Sequence, residues 1–112
     1  MEYRQISADY SVSGQIQPGD IAAIKEAGFK SVICNRPDDE QPGQPSAASI
    51  KNAAEAAGLG FRYIPVISGQ ITMDNVENQA NALDELEGPV FAYCRSGARS
   101  TNLYGIIQQQ KG

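Results

Sequence analysis

The feature that most constrains the fold of this chain is the alternation of short apolar runs with segments of helical character. Three such runs, Phe29–Cys34, Phe61–Ile67 and Pro89–Tyr93, are separated by longer polar or alanine-rich stretches. Short, largely apolar runs are typical of strands buried on both faces of a parallel sheet, and the intervening helices provide the right-handed crossovers. The sequence therefore predicts an α/β fold built from βαβ units.

Capping residues place the ends of the helices. Pro18 suits a first helical position, Gly28 and Gly58 suit left-handed helix ends, and Thr72 suits an N-cap. In the helix that Thr72 opens, Val76, Ala80 and Leu83 are predicted to form the apolar side. We predict helices over 18–27, 46–57 and 72–86, a last helix opened by Ser96 or Gly97, and two short edge strands over 3–6 and 10–13.

Composition narrows the class of protein. The 112 residues are expected to form one domain, 1–112. No apolar run approaches the length of a membrane span, and no secretory segment is evident, so a cytoplasmic protein without a membrane partner is expected. The net charge is −4 with scattered basic residues, which disfavours nucleic acid as a partner.

The absence of histidine limits the available chemistry. With no His and only Cys34 and Cys94, the chain has neither a Cys-His or Ser-His pair nor the residues of a usual zinc site. We therefore expect no metal and no cofactor. Two cysteines are too few for a disulfide framework, so free thiols are predicted. Any chemistry must then depend on a self-activated thiol or on carboxylates.

Cys94 occupies the position where such a thiol would be expected, directly after a predicted strand and before a helix. The segment between Cys94 and Arg99, here called the cysteine loop, contains Arg95, Ser96, Gly97 and Ala98. A loop of this kind can turn its backbone N–H groups inward to bind an anion, and Gly97 permits the necessary backbone angles. The helix N-terminus and Arg99 favour both the thiolate and a bound oxyanion. The pattern predicts a nucleophilic Cys94 with Arg99 as anion ligand.

Several neighbouring residues have two interpretations each. Arg95 either contributes to the anion site or points into solvent. Ser100 either donates to the thiolate or supports the first turn of the helix. Cys34 is either a small buried hydrophobe or a thiol that resolves an oxidised or persulfidated Cys94. The polar loop after it supplies the remaining possible auxiliary residues, Arg36, Asp38 and Asp39.

Two kinds of resemblance meet in this chain. The segment Cys94–Ser100, CRSGARS, resembles the active-site loop of rhodanese sulfurtransferases, in which a Cys thiolate carries sulfane sulfur as a persulfide. The segments 29–40, 63–66 and 89–94 follow the order seen in dual-specificity phosphatases. Together they resemble the phosphatase-like domain of the beta-lactamase-hydrolase-like proteins, a family commonly assigned sulfurtransferase activity.

This resemblance implies a three-layer α/β/α sandwich with a mainly parallel central sheet, of the protein-tyrosine-phosphatase type. It implies Cys94 as nucleophile, Arg99 as anion ligand and residues 95–98 as a backbone cradle. Because family members occur fused to persulfide-processing or sulfide-oxidising partners, it also implies a partner protein of that kind.

Departures from the phosphatase pattern favour sulfur transfer over phosphoryl transfer. Four residues separate Cys94 from Arg99, one fewer than in phosphatases, so we expect a tighter cradle that fits a phosphoryl group poorly. Tyr93 stands where phosphatases usually have His. The loop after Val66 offers no general acid, because Asp74 is expected in a helical first turn, and only Asp38 or Asp39 could substitute.

The leading hypothesis is therefore a sulfurtransferase, in which Cys94 accepts sulfane sulfur from a small sulfur-containing anion or a persulfide and passes it to a thiol acceptor. The first alternative is a cysteine-based tyrosine or dual-specificity phosphatase-like hydrolase. The second alternative is an inactive module that binds an anion or a partner.

Overall fold

The structure is a computed structural model that describes residues 2–111. Its strands and helices alternate after an initial hairpin, as the apolar runs predicted. The strands are β1 (Arg4–Ser7), β2 (Tyr10–Ser13), β3 (Ser31–Cys34), β4 (Gly60–Tyr63) and β5 (Val90–Tyr93); the helices are α1 (Ile21–Glu26), α2 (Ala47–Ala56), α3 (Met73–Glu85) and α4 (Ala98–Lys111).

The sheet has the order β1-β2-β5-β3-β4, and only β1 runs antiparallel to its neighbour. The three central strands are in register, so that Tyr93 pairs with Ser13 on one side and with Cys34 on the other. Since parallel strands end at the same edge, the segments that follow Ser13, Cys34 and Tyr93 all emerge together. This register brings three loops to one edge of the sheet.

Helices cover both faces of the sheet and give the predicted three-layer α/β/α sandwich. On one face, α1 and α2 pack Ile24, Ile50 and Ala54 against Phe91 and other strand residues. On the other face, α3 and α4 cover a second set of strand residues. The buried clusters on the two faces of the sheet consist almost entirely of aliphatic and aromatic side chains, whose burial is the main source of stability. No helix in residues 2–111 is long and apolar enough to cross a membrane.

Three element boundaries differ from the sequence prediction. Pro18–Asp20 forms a short 3-10 turn, and α1 begins only at Ile21. β4 ends at Tyr63 rather than Ile67, although the amides of Ile64 and Val66 still donate to the carbonyl oxygens of Cys34 and Asn35. The last helix begins at Ala98, one or two residues later than expected. Gly28 ends the first helix with a φ of 103°, as the left-handed cap requires.

Helix α3 begins at the predicted cap, and its buried face contains the predicted Val76 together with an unpredicted glutamine. Thr72 Oγ1 accepts from the Asn75 amide at 3.1 Å, and Asn75 Oδ1 accepts from the Thr72 amide at 2.9 Å. Its fully buried side chains are Val76, Gln79 and Ala82, whereas the predicted Ala80 and Leu83 are half-buried. A glutamine on the buried face of a helix needs hydrogen-bond partners there.

Candidate active site

The cysteine loop leaves β5 and curls back over its own sulfur atom. The Cys94 amide still continues the sheet by donating to the Ser13 carbonyl oxygen at 3.2 Å. Gly97 then adopts a φ of 93°, and its amide donates to Cys94 Sγ at 3.0 Å. A residue with a side chain would be strained at this φ. The loop therefore holds Cys94 by a main-chain donor, with the thiol buried at the base.

Gly14 at the end of β2 lets the cysteine loop pack closely against the sheet. A Cβ atom on Gly14 would lie 2.8 Å from the Arg95 carbonyl oxygen, closer than side chains tolerate. The neighbouring Gln15 amide donates to the same oxygen at 3.4 Å. Sequence reasoning missed Gly14, because a single glycine after a strand has no distinguishing signal before its contact partner is known.

The loop offers several uncommitted backbone donors. Within residues 2–111, the amides of Arg95, Ser96, Arg99 and Ser100 donate to no backbone or side-chain acceptor. Those of Arg99 and Ser100 belong to the first turn of α4, where amides have no intrahelical partner. Amides at a helix N-terminus are a ready site for an anion. The side chains of Arg95 and Ser96 are exposed, as is Ala98, so here the backbone provides the donors.

Arg99 is buried and held by one edge of its guanidinium group. Nη1 donates to Glu40 Oε2 at 2.8 Å and to the Val66 carbonyl oxygen at 2.7 Å, and Nη2 donates to Glu40 Oε1 at 2.9 Å. These bonds leave Nε–H and one Nη2–H without an acceptor among the described residues. That pair forms the other edge of the planar fork, which can bind two oxygens of an oxyanion.

Glu40 links Arg99 to the loop that follows β3. Its Oε1 also accepts from Arg36 Nε at 3.0 Å, so one carboxylate joins two guanidinium groups. The Arg99 hydrogen bond is the main reason that the pKa of Glu40 lies below its ordinary value, and the same bond raises the pKa of Arg99. Glu40 was missed by sequence reasoning, since its only signal was a third carboxylate beside Asp38 and Asp39.

Arg36 and Asp38 make structural contacts and Asp39 is exposed, while an auxiliary catalytic role for any of them stays a prediction. Arg36 is buried and also donates to Gln15 and Gln41, each at 3.1 Å, which secures its loop. Asp38 Oδ1 accepts from the Ala47 amide at 2.8 Å and so caps α2. Asp39 is exposed with a φ of 64°.

Cys34 lies in the core between the sheet and α1 and α2, together with Tyr93. Its Sγ donates to the Arg36 carbonyl oxygen at 3.3 Å, and burial raises the pKa of this thiol. Both cysteines are free. A thiol with a raised pKa is less often ionised at neutral pH, and the resolving role of Cys34 stays a prediction. Burial also raises the pKa of Tyr93, whose hydroxyl has no hydrogen-bond partner in the described part of the chain.

Ser100 follows Arg99 on α4, and its hydroxyl does not donate to the thiolate, the first of its two interpretations. Oγ donates to Asn35 Oδ1 at 2.8 Å, in a fully buried position. A hydroxyl has one proton, so this bond replaces the expected donation to the Cys94 sulfur.

Residues 2–111 contain no group of three or more Cys, Asp or Glu side chains arranged to hold a metal ion.

Cys94 lies at the base of a loop between a parallel strand and a helix, and Arg99 lies at the start of that helix. This arrangement places the chain among proteins with the fold of cysteine phosphatases. Solved structures agree. A candidate phosphatase from Neisseria meningitidis Z2491 is 36% identical, with a TM-score of 0.88 over 97% of this chain and 78% of that one. The core catalytic domain of the Saccharomyces cerevisiae PP-IP phosphatase SIW14 shares the fold at 14% identity, with a TM-score of 0.73 over 96% and 64% of the two chains.

The family follows from the sequence comparison. Residues 2–111 match the model of the beta-lactamase hydrolase-like protein, phosphatase-like domain, and the chain belongs to this family. A beta-lactamase hydrolase-like protein of Agrobacterium fabrum is 39% identical over the whole of this chain, which covers 26% of that protein. The chain thus spans about a quarter of the length of this curated relative.

Proposed function

We propose that this domain is a cysteine-dependent, phosphatase-like hydrolase in which Cys94 attacks a phosphoryl group held by the cysteine loop and Arg99. The observation that carries the proposal is the hydrogen bond of 3.0 Å from the Gly97 amide to Cys94 Sγ, because it shows that the loop turns a main-chain donor toward the sulfur. The family and the likeness to the Neisseria structure support the same assignment.

The donors suffice in number for a phosphoryl group despite the short loop. Four uncommitted amides and the free edge of Arg99 are enough donors for a group with three equatorial oxygens. The proposal therefore replaces the expectation that a loop with four intervening residues would fit phosphate poorly. The sulfurtransferase hypothesis from the sequence finds no support among the relatives, whereas the phosphatase alternative does.

The reaction would proceed in two displacements. The Cys94 thiolate attacks phosphorus, an S–P bond forms, the ester P–O bond breaks, and the departing oxygen keeps the electron pair and takes a proton from water. Water then attacks the phosphocysteine, which releases inorganic phosphate and returns the thiolate. Arg99 and the loop amides stabilise the charge on the equatorial oxygens in both steps.

The carboxylates around the site restrict the substrate. Asp38 Oδ1 binds the Ala47 amide and Glu40 is bound to two arginines, while Asp39 and Asp74 are exposed, so within residues 2–111 no hydrogen bond directs any of the four toward Cys94 as a general acid. Substrates whose leaving oxygen is a weak base need no acid. Aryl phosphates and phosphoanhydrides are therefore the proposed substrate class.

The test is release of phosphate from an aryl phosphate, an alkyl phosphate and pyrophosphate by the purified chain. We expect turnover of the first and third substrates, its loss in Cys94→Ser, and a large loss in Arg99→Lys, which cannot present the planar fork. Cys34→Ser is the matched control and should retain activity. Absence of Cys94-dependent release from all three substrates would reject the proposal.

Sulfur transfer is the second proposal, and one observation favours it: Asp38 and Glu40, near the cysteine loop in the fold, are bound to other partners, and thiol leaving groups need no acid. In that reaction the thiolate attacks a sulfane sulfur, an S–S bond of the donor breaks, and the donor leaves as a thiolate or sulfite. Intact-mass measurement after incubation with thiosulfate or glutathione persulfide would show one added sulfur on Cys94. An inactive anion-binding domain would show neither reaction and would bind sulfate equally well as Cys94→Ser.

A further inference from the structure

Behind the cysteine loop lies a closed network of buried polar side chains from four different elements. Asn35 Nδ2 donates to Gln79 Oε1 at 2.9 Å, and Gln79 Nε2 donates to Asn35 Oδ1 at 3.2 Å and to the Tyr10 hydroxyl at 3.1 Å. The Tyr10 hydroxyl donates to the Ser100 carbonyl oxygen at 2.8 Å. Ser100 Oγ closes the network on Asn35 Oδ1. All four side chains are at most 1% exposed.

One main-chain oxygen sets the direction of every hydrogen bond in the network. The Ile64 carbonyl can only accept, so the Asn35 group at 3.0 Å from it must be the amide nitrogen. Asn35 Oδ1 then faces Gln79 Nε2 and Ser100 Oγ and must accept from both. Consequently Gln79 donates to Tyr10, and Tyr10 has its proton free for Ser100.

The end point of the network is the first turn of α4. Ser100 adjoins Arg99, and both residues carry uncommitted amides of the anion site. Tyr10 therefore holds Ser100 at its carbonyl oxygen, and Asn35 holds it at its hydroxyl. A shift of Ser100 would displace the amides and the guanidinium group that define the site.

We propose that Gln79 is a positioning residue that fixes the start of α4, and with it the cysteine loop, by orienting Tyr10 and Asn35. It occupies an otherwise apolar face of α3, where an aliphatic side chain would pack without partners to satisfy. Within residues 2–111, Gln79 has the one side chain that bonds both Tyr10 and Asn35. The inference concerns the geometry of the loop and holds for phosphoryl or sulfur transfer alike.

The test compares the Gly97 amide signal and sulfate affinity in NMR titrations of wild type, Gln79→Met and Tyr10→Phe. Met approximates the shape of Gln but removes its bonds, and Phe removes only one hydroxyl. We expect a shifted Gly97 amide resonance in both variants and sulfate binding weakened about tenfold in Gln79→Met, since small misplacements of such donors are costly. The double variant should be no weaker than the worse single one, because both act through one network.

Val76→Ala is the matched control, because Val76 is buried on the same helix but lies outside the network. It should lower stability while leaving the Gly97 signal and sulfate affinity unchanged. A Gln79→Met protein that folds and behaves like Val76→Ala would overturn the inference. If Gln79→Met does not fold, an unchanged Gly97 signal and affinity in Tyr10→Phe would overturn it. Failure of wild type to bind sulfate would count against the proposed function, while the Gly97 signal would still decide the role of Gln79.

Discussion

Replacing Glu40 by glutamine should weaken both the fold and the site, because this one carboxylate holds two guanidinium groups. Its oxygens accept at 2.8 and 2.9 Å from Arg99 and at 3.0 Å from Arg36. A glutamine has one acceptor oxygen, and its amide nitrogen would face a donor of Arg99. At least one charge-assisted bond is then lost, and both arginines lose their counter-charge.

The size of the effect follows from burial. Breaking a fully buried ion pair costs about 3–5 kcal/mol. The Glu40 side chain is 25% exposed while that of Arg99 is 9% exposed, so water screens part of the interaction. We therefore expect Glu40→Gln to lower the free energy of unfolding by about 1–2 kcal/mol at neutral pH, after this discount. Turnover should fall as well, because Arg99 loses the contacts that orient its free edge.

The pH dependence gives a second, independent measure. The pKa of Glu40 is lowered in the folded state, so its stabilising contribution is present above the ordinary carboxyl pKa of about 4.3 and is lost as pH falls through the folded value. Urea unfolding of wild type and Glu40→Gln should thus give curves that differ at pH 7 and converge in acid.

Glu55→Gln is the matched control, since Glu55 lies on the exposed face of α2 and forms no ion pair within the described residues. It should leave stability and turnover close to wild type. The reasoning is refuted if Glu40→Gln is no less stable than Glu55→Gln at pH 7, or if its deficit persists unchanged in acid.

Two further predictions concern the cysteine loop and the loop after β3. Gly97→Ala should lower the free energy of unfolding by about 1 kcal/mol or more through strain at its φ of 93°, and it should abolish anion binding. Gly105→Ala, on the exposed face of α4, should have neither effect. Urea unfolding measures the stability of each variant, and sulfate titration measures its anion binding. Asp38→Asn should keep the hydrogen bond to the Ala47 amide and retain turnover of an aryl phosphate. Asp38→Ala should lose this bond and about 1 kcal/mol of stability. A selective loss of turnover in Asp38→Asn would instead identify Asp38 as the general acid.

The layers of the fold and the place of the thiol could be predicted from the sequence, because both depend on local patterns. Apolar runs define the central strands, and Gly28 and Thr72 mark helix ends through their own backbone or side-chain chemistry. The position of Cys94 between a strand and a helix follows from the same patterns. The likeness to phosphatase folds was predicted from the order of three segments and is confirmed by the solved structures.

The contacts that organise the site could not be predicted, because they join residues distant in sequence. Glu40 meets Arg99 across 59 positions, and Ser100 meets Asn35 across 65. Gln79 was hidden for a related reason: periodicity assigned the buried face of α3 to the apolar residues Val76, Ala80 and Leu83, and only the hydrogen-bond partners explain a buried amide. The leading choice of sulfur transfer relied on the lack of an evident general acid and on counting loop residues, and the count does not reveal how many amides remain uncommitted.

The early end of β4 has a consequence for how the family can diversify. Past Tyr63 the chain no longer forms a strand, and the carbonyl oxygens of Ile64 and Val66 bind Asn35 and Arg99 instead. Because these acceptors are backbone atoms, any residue that preserves the path of the chain supplies them. Related chains are thus free to vary the side chains at 64 and 66 within the limits of core volume, whereas a deletion or insertion between 63 and 67 would disorient the asparagine and the arginine together.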